Sequence, residues 1–131
     1  MRTLLETEYF FVAYDPQRDF ILLRRRSKPY ANLDDLARDH EAIFRALLPY
    51  SGKPGLIDMR AARGNNDPQW EAAIVPYARR ITSFFSHRAL LVQTAAGKLH
   101  LQRLSRERGD GPEPVFTDEQ EALAFLTKRP R

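Results

Sequence analysis

The segment from Gly55 to Pro68, GLIDMRAARGNNDP, constrains the fold of this chain more than any other. Its first part is a short apolar run around Asp58, which is typical of a central parallel strand. A polar loop follows, and then Asp67 and Pro68 mark the start of a helix. Proline at the first helical position loses no needed hydrogen bond, and the aspartate can cap the free amides. A buried strand that leads through a loop into a helix predicts an α/β fold.

Two aromatic and β-branched runs precede this segment, Tyr9 to Asp15 and Asp19 to Arg25. The residues between them favour a turn, so the pair is predicted to form a β-hairpin. Both alternating sets of the first run are apolar. Either the chain's own helices cover both faces of this strand, or one face presents aromatic side chains to a partner.

Helical patterns lie on either side of the central strand. Asn32 is expected to cap a first helix that runs to about Leu48, with an apolar stripe at spacings of three and four residues. A second helix is expected to begin at Pro68 and to be kinked near Ala72 by Pro76. The side chains expected on its buried face are Trp70, Ile74, Tyr77, Ala78, Ile81 and Phe84 or Phe85.

The remainder of the chain is predicted to add a strand at Arg88 to Thr94, a minimal strand at Val115 and Phe116, and a last helix. Thr117 and Gln120 have the spacing of a capping box for that helix. Between these elements, periodicity leaves residues 98–107 open between a strand and a helix. With a helix there, the order is β-β-α-β-α-β-α-β-α in one domain spanning residues 1–131.

That order predicts an α/β fold with a small mixed, mostly parallel five-stranded sheet. The chain has no cysteine, which excludes disulfides, thiol nucleophiles and every zinc site that needs sulfur. The segment from Met1 to Glu8 has no apolar run that could serve as a signal peptide, so a cytoplasmic location is expected. The formal net charge is +4, and because no recognised motif accompanies it, nucleic-acid binding is not expected.

Catalytic templates are not found in the sequence. His40, His87 and His100 fall in different predicted elements without the spacing of a metal-binding helix, and no Gly-x-Ser-x-Gly elbow occurs. The stretch from Gly52 to Gly55 lacks the Gly-Lys-Ser/Thr ending of a phosphate-binding loop. The sequence therefore predicts a protein that is not an enzyme, with no catalytic residue, metal or cofactor.

With these elements in place, the chain resembles the SpoIIAA-like branch of the STAS superfamily, the fold of anti-sigma-factor antagonists. The resemblance runs from YFFVAYDPQRDFILL through LIDMR and NDPQWEAAI to VFTDEQEALAFL. A more distant likeness is to CRAL-TRIO lipid-binding domains. The resemblance implies a mixed sheet with helices mainly on one face, and it favours a helix for residues 98–107.

The resemblance also directs attention to the loop after the central strand. Regulatory STAS proteins carry an Asp-Ser pair at the next helix start, and a partner kinase phosphorylates that serine. The corresponding places here fall at about Asn66 and Asp67, and no serine or threonine occurs between Ser51 and Thr82. The phosphorylation switch therefore does not carry over to this chain.

Two functional hypotheses follow. The first is a regulatory or protein-interaction module whose partner-binding residues are Arg60, Arg63, Asn65, Asn66, Asp67 and Trp70. The alternative is a lipid-binding or small anionic-ligand-binding domain that uses the basic cluster Arg24, Arg25, Arg26 and Lys28. A homodimer is also predicted, because a sheet covered mainly on one face would leave Phe10, Val12 and Tyr14 in need of a cover.

Overall fold

The computed structural model describes residues 1–62, 67–107, 109 and 114–128. It contains six strands and four α-helices in these residues. The strands are β1 (Arg2–Glu6), β2 (Phe10–Asp15), β3 (Phe20–Arg25), β4 (Gly55–Asp58), β5 (Arg88–Leu91) and β6 (Val115–Phe116). The helices are α1 (Leu33–Leu47), α2 (Pro68–Ser83), α3 (Ala95–Glu107) and α4 (Glu119–Thr127), with a short 3-10 helix at Leu48–Tyr50.

All six strands form one mixed sheet in which the spatial order is the chain order. The first three strands are antiparallel neighbours, and β3 to β6 are parallel neighbours joined by helices. The predicted α/β class and the mixed sheet are confirmed. The predicted strand number is wrong, because β1 adds a sixth strand. The run RTLLE has only two leucines, and it becomes a strand by pairing along the edge of β2 rather than by burial.

Helices cover both faces of the sheet. On the first face, α1 and α2 pack over the strands through Ile43, Phe44 and Ile81. On the second face, α4 packs through Ala122 and Leu126. The strand side chains buried on the first face are Phe10, Val12, Ile21, Leu23 and Ile57, and those on the second are Phe20, Leu22, Leu56, Ala89 and Leu91.

The predicted helix starts are confirmed for the first two helices and wrong for the last. The side chain of Asn32 accepts a hydrogen bond from the backbone N of Asp35, and Asp67 accepts one from the backbone N of Gln69. At α4 the N-cap is Asp118, not Thr117. The Asp118 carboxylate accepts from the backbone N of Gln120 and starts the helix one residue later than a Thr117 cap would.

The predicted buried face of α2 is wrong for most of its length. Ile81 is the only fully buried residue of the helix, Trp70 and Tyr77 are half-buried, and Ile74 is 39% exposed. The low burial of α2 follows from its length relative to the neighbouring strand. Sixteen helical residues extend about 24 Å, whereas the four residues of β4 extend about 13 Å. Because the buried contacts lie near the carboxyl end of α2, its first turns extend past the carboxyl edge of the strands.

Two further expectations bear on the sheet and on α3. Residues 98–107 lie within α3, so the alternative of a strand is wrong. Phe10 and Val12 are buried by the chain's own residues, so the observation that motivated a homodimer does not hold, and the homodimer itself stays a prediction. In the part of the chain that the structure describes, no helix has the length and apolar character needed to cross a membrane.

Candidate functional site

The end of β4 holds a charged network on the α4 face of the sheet. Asp58 is the last residue of β4 and is 3% exposed, and it lies opposite Arg24 in the register of β3 and β4. The Nε of Arg24 donates to Oδ2 of Asp58 at 3.1 Å. The buried carboxylate therefore has a cation from the neighbouring strand, 34 residues away in sequence.

Arg60 completes the contacts of this carboxylate. Its Nε donates to Oδ1 of Asp58 at 3.0 Å and its Nη2 to Oδ2 at 2.9 Å, and its backbone N donates to Oδ1 at 3.1 Å. The same Nη2 lies 3.8 Å from Oε1 of Glu119 in the first turn of α4. Arg24, Asp58, Arg60 and Glu119 thus link β3, β4 and α4, and we call these four residues the Asp58 network.

The electrostatics of the Asp58 network favour the ionised carboxylate. Burial alone would raise the pKa of Asp58, but hydrogen bonds from Arg60 and Arg24 outweigh burial and lower it. The same carboxylate raises the pKa of Arg60. With two cations and two anions, the Asp58 network has no net charge, so its chemistry is that of a fixed polar surface rather than of an acid or a base.

The other predicted partner-binding residues lie around this network. Asp67 caps α2, and Trp70 is half-buried in the first turns of that helix. Arg63, Asn65 and Asn66 lie outside the described residues. The structure therefore places Arg60 at the end of β4 and places Asp67 and Trp70 where α2 extends past the sheet.

The basic cluster at the end of β3 does not converge on one site. Arg24 lies on the α4 face and contacts Asp58, whereas Arg25 lies on the α1 face. Arg26 pairs with Glu6 and Lys28 pairs with Glu8. These two ion pairs span a shallow depression of about 630 Å³ whose lining residues are Glu6, Thr7, Glu8, Arg26, Ser27 and Lys28.

Arg25 is engaged in packing. Its guanidinium lies 4.6 Å from the ring centroid of Tyr30 and donates to the backbone carbonyls of Tyr9, Arg26 and Lys28. The hydroxyl of Tyr30 in turn donates to Oδ2 of Asp39 at 2.6 Å, and burial raises the pKa of Tyr30. Each cation of the predicted anion site therefore already has protein acceptors or a protein carboxylate as its partner.

His40 is a core residue of α1. It is buried among Phe10, Tyr30 and Tyr77, and its Nδ1 lies 2.8 Å from the carbonyl oxygen of Leu36. Burial lowers its pKa. Among the residues that the structure describes, no group of three or more histidine, aspartate or glutamate side chains has the arrangement of a metal site.

Sequence reasoning missed Glu119, Glu6 and Glu8 as members of these ionic contacts. A signal for the Asp58 network was present, because a carboxylate inside a buried apolar strand requires a cation. The strand neighbour that supplies it, Arg24, becomes evident only once the register of β3 and β4 is known. Comparisons of this chain with models of protein families, with curated proteins and with solved structures found no match.

Proposed function

We propose that this protein is a non-enzymatic interaction module of the STAS type, similar to the SpoIIAA-like branch, that binds a protein partner through the end of β4 and the first turns of α2. Two features support the proposal: the order of elements from β2 onward, and the partly exposed first turns of α2 beside the end of β4.

The observation that carries the proposal is the low burial of the first turns of α2. The first three turns of α2 have no fully buried residue, so burial contributes little to their stability. The Asp67 cap and Pro68 nevertheless favour a helix start at this position. Its exposed residues include Gln69 and Glu71, and its apolar residues Trp70 and Ile74 are only partly covered. Such an amphipathic segment is well suited to contact a partner.

The Asp58 network supplies the second half of the surface. Arg60 is 38% exposed on its side chain, and three hydrogen bonds to Asp58 hold it in one position. An arginine fixed in this way loses little side-chain entropy when it binds an acceptor of the partner. The partner is therefore expected to offer a carboxylate or a carbonyl group beside an apolar patch.

The loop between Arg60 and Asp67 joins these two parts, and it has no serine or threonine. Binding at this surface is therefore proposed to be constitutive rather than switched by phosphorylation. Asp67 keeps a negative charge at the helix start, and its carboxylate also serves as the cap.

A photo-crosslinking residue at two matched positions tests the proposal. p-Benzoylphenylalanine would replace Gln69 at the proposed surface or Gln17 in the β2–β3 turn, which lies at the opposite edge of the parallel strands. Both glutamines are exposed, and each donates its backbone N to an aspartate two residues earlier. We expect one discrete protein adduct in cells from position 69 and none from position 17.

The adduct should also depend on the loop. Arg63→Ala combined with Asn66→Ala is expected to abolish crosslinking from position 69 while leaving the protein folded. Absence of an adduct at position 69, or the same adducts from positions 69 and 17, would refute the proposed surface. Mass spectrometry of the adduct would identify the partner.

A further inference from the structure

Positive charge is concentrated in one continuous stretch of this chain. Between Ala72 and Arg106 there are six basic residues and no acidic residue, so the stretch has a formal charge of +6. The remaining residues hold 15 basic and 17 acidic side chains, a charge of −2, and together they give the net charge of +4. This stretch forms most of α2, all of β5 and nearly all of α3.

Part of the exposed charge of this stretch lies on the outward face of α3. Arg103 and Arg106 are exposed, and Leu99 is 60% exposed one turn before Arg103. Spacings of four and three residues place these three side chains along one face of the helix. The opposite face is directed inward, where Ser105 is fully buried.

In the described part of the chain, the cations of this face form no ion pair, although the exposed Glu107 follows Arg106 at the end of α3. Among the described residues, no acidic side chain forms an ion pair with Arg103, Arg106 or Lys98 of α3, or with Arg79 of α2. The basic side chains near the end of β3 differ, since Arg24, Arg26 and Lys28 each pair with a carboxylate. The four basic side chains Arg79, Lys98, Arg103 and Arg106 therefore form a group without an ion-pair partner among the described residues.

The charge has an orientation relative to the sheet. The acidic residues Asp118, Glu119 and Glu121 lie at the start of α4, which packs on the second face. A right-handed crossover from β5 to β6 is expected to put α3 on the first face, the side of α1 and α2. An anionic surface would attract the outward face of α3 more than the start of α4, where Asp118 and Glu121 are exposed.

We infer that the outward face of α3, with Leu99, Arg103 and Arg106 at its centre, binds the surface of a membrane that contains anionic phospholipids. Arginine guanidinium groups suit lipid phosphates, and an exposed leucine between basic residues suits the boundary between headgroups and acyl chains. A single-stranded nucleic acid is less suited to this face, since α3 has no exposed Phe, Tyr or Trp on which a base could stack. The inference does not depend on the partner surface proposed for the carboxyl edge.

Vesicle flotation with the full chain tests the inference. We expect the protein to float with vesicles of phosphatidylcholine and phosphatidylglycerol at low salt, and not with vesicles of phosphatidylcholine alone. Arg103→Glu combined with Arg106→Glu should lower the apparent partition coefficient by at least about tenfold. Arg103→Gln with Arg106→Gln should give a smaller loss, and circular dichroism would check that both variants fold.

A matched control separates the α3 face from the total charge. Arg18→Glu combined with Lys128→Glu removes the same amount of charge from exposed positions outside the face, so both double-Glu variants have a formal net charge of 0 instead of +4. The control is expected to float as the wild type does. Equal loss in both variants would overturn the inference, as would a failure of the wild type to float.

Two more measurements fix the orientation and the class of ligand. Because the chain has no cysteine, Leu99→Cys or Phe125→Cys gives one labelling site for a polarity-sensitive fluorophore. Anionic vesicles should shift the emission to the blue at position 99 on α3 and not at position 125 on α4. A reversed pattern would overturn the inference, as would a mobility shift of duplex DNA that depends on Arg103 and Arg106 in a protein that does not float.

Discussion

Arg24 and Asp58 face each other across β3 and β4, and the Nε of the arginine lies 3.1 Å from Oδ2 of the aspartate. The contact is made at the last residue of β4, directly before the loop that the STAS resemblance singles out. The same carboxylate binds Arg60 through both of its oxygens. One buried aspartate therefore fixes the position of both arginines at this edge of the sheet.

Replacing this aspartate is expected to destabilise the protein. Asp58→Asn removes the charge that both arginines bind, and we expect the free energy of unfolding to fall by about 1–3 kcal/mol, less than for a fully buried pair because Arg24 and Arg60 are partly exposed. Urea denaturation measures the change. Asp34→Asn, an exposed position in the first turn of α1, is the control and should cost under about 0.5 kcal/mol. Equal losses in the two variants would contradict the stabilising role of the Asp58 network.

The Asp58 network should also make stability depend on pH. The pKa of Asp58 is lowered by folding, so in acid the unfolded chain binds its proton before the folded chain does. The stabilisation is therefore present above the unfolded value of about 4 and is lost as the pH falls through the lower folded pKa. Urea unfolding of wild type and Asp58→Asn from neutral pH into acid should show a difference that shrinks below pH about 4. A difference that stays constant would exclude this linkage.

The contact between Tyr30 and Asp39 is expected to stabilise the first face of the sheet. Tyr30→Phe keeps the ring beside Arg25 but removes the hydroxyl that donates to the buried Asp39 carboxylate, at an expected cost of about 1–3 kcal/mol. Tyr50→Phe is the matched control, since the hydroxyl of Tyr50 accepts an exposed hydrogen bond from Arg2 and, among the described residues, no other. Thermal unfolding monitored by circular dichroism should separate the two variants, and equal melting temperatures would count against the prediction.

Gly55 at the start of β4 should not tolerate a side chain. A Cβ atom there would lie 2.6 Å from the ring of Phe85, so Gly55→Ala is expected to cost about 1–3 kcal/mol by overpacking. Phe85→Leu removes the ring that causes the clash. In a double-mutant cycle measured by urea denaturation, Gly55→Ala should therefore cost less in the Phe85→Leu background than in the wild type. An additive cycle would place the origin of the cost elsewhere.

The sequence predicted the order of elements from β2 to α4 because each of them has a local signal. Aromatic and β-branched runs around a turn predicted β2 and β3, and Asn32 and the Asp67-Pro68 pair predicted the helix starts. The first strand lacked such a signal, since its pairing with β2 rather than its own apolar content forms it. The spacing of Thr117 and Gln120 predicted a capping box, but Asp118 is an equally good cap, and only the backbone geometry distinguishes the two residues.

The ionic contacts of the candidate site were harder to predict than the elements of the fold, because they too depend on how the strands pair. Ionic contacts join residues that are far apart in sequence, and the register that brings them together is not encoded in either residue alone. The basic cluster from Arg24 to Lys28 looked unpaired because its partners Glu6 and Glu8 lie in and after the strand that was missed. The absence of acidic residues from Ala72 to Arg106 is visible in the sequence, but its meaning requires knowledge of which side chains of α3 face outward.

The order of the strands has a consequence for how the chain is made. Every strand pairs with the strand synthesised just before it, so no part of the sheet has to wait for a distant segment to leave the ribosome. Each crossover closes one modest loop, which keeps the entropic cost of every step small. The domain can therefore fold from β1 to α4 in the direction of translation, because each new strand pairs with the edge strand of the sheet that has already formed.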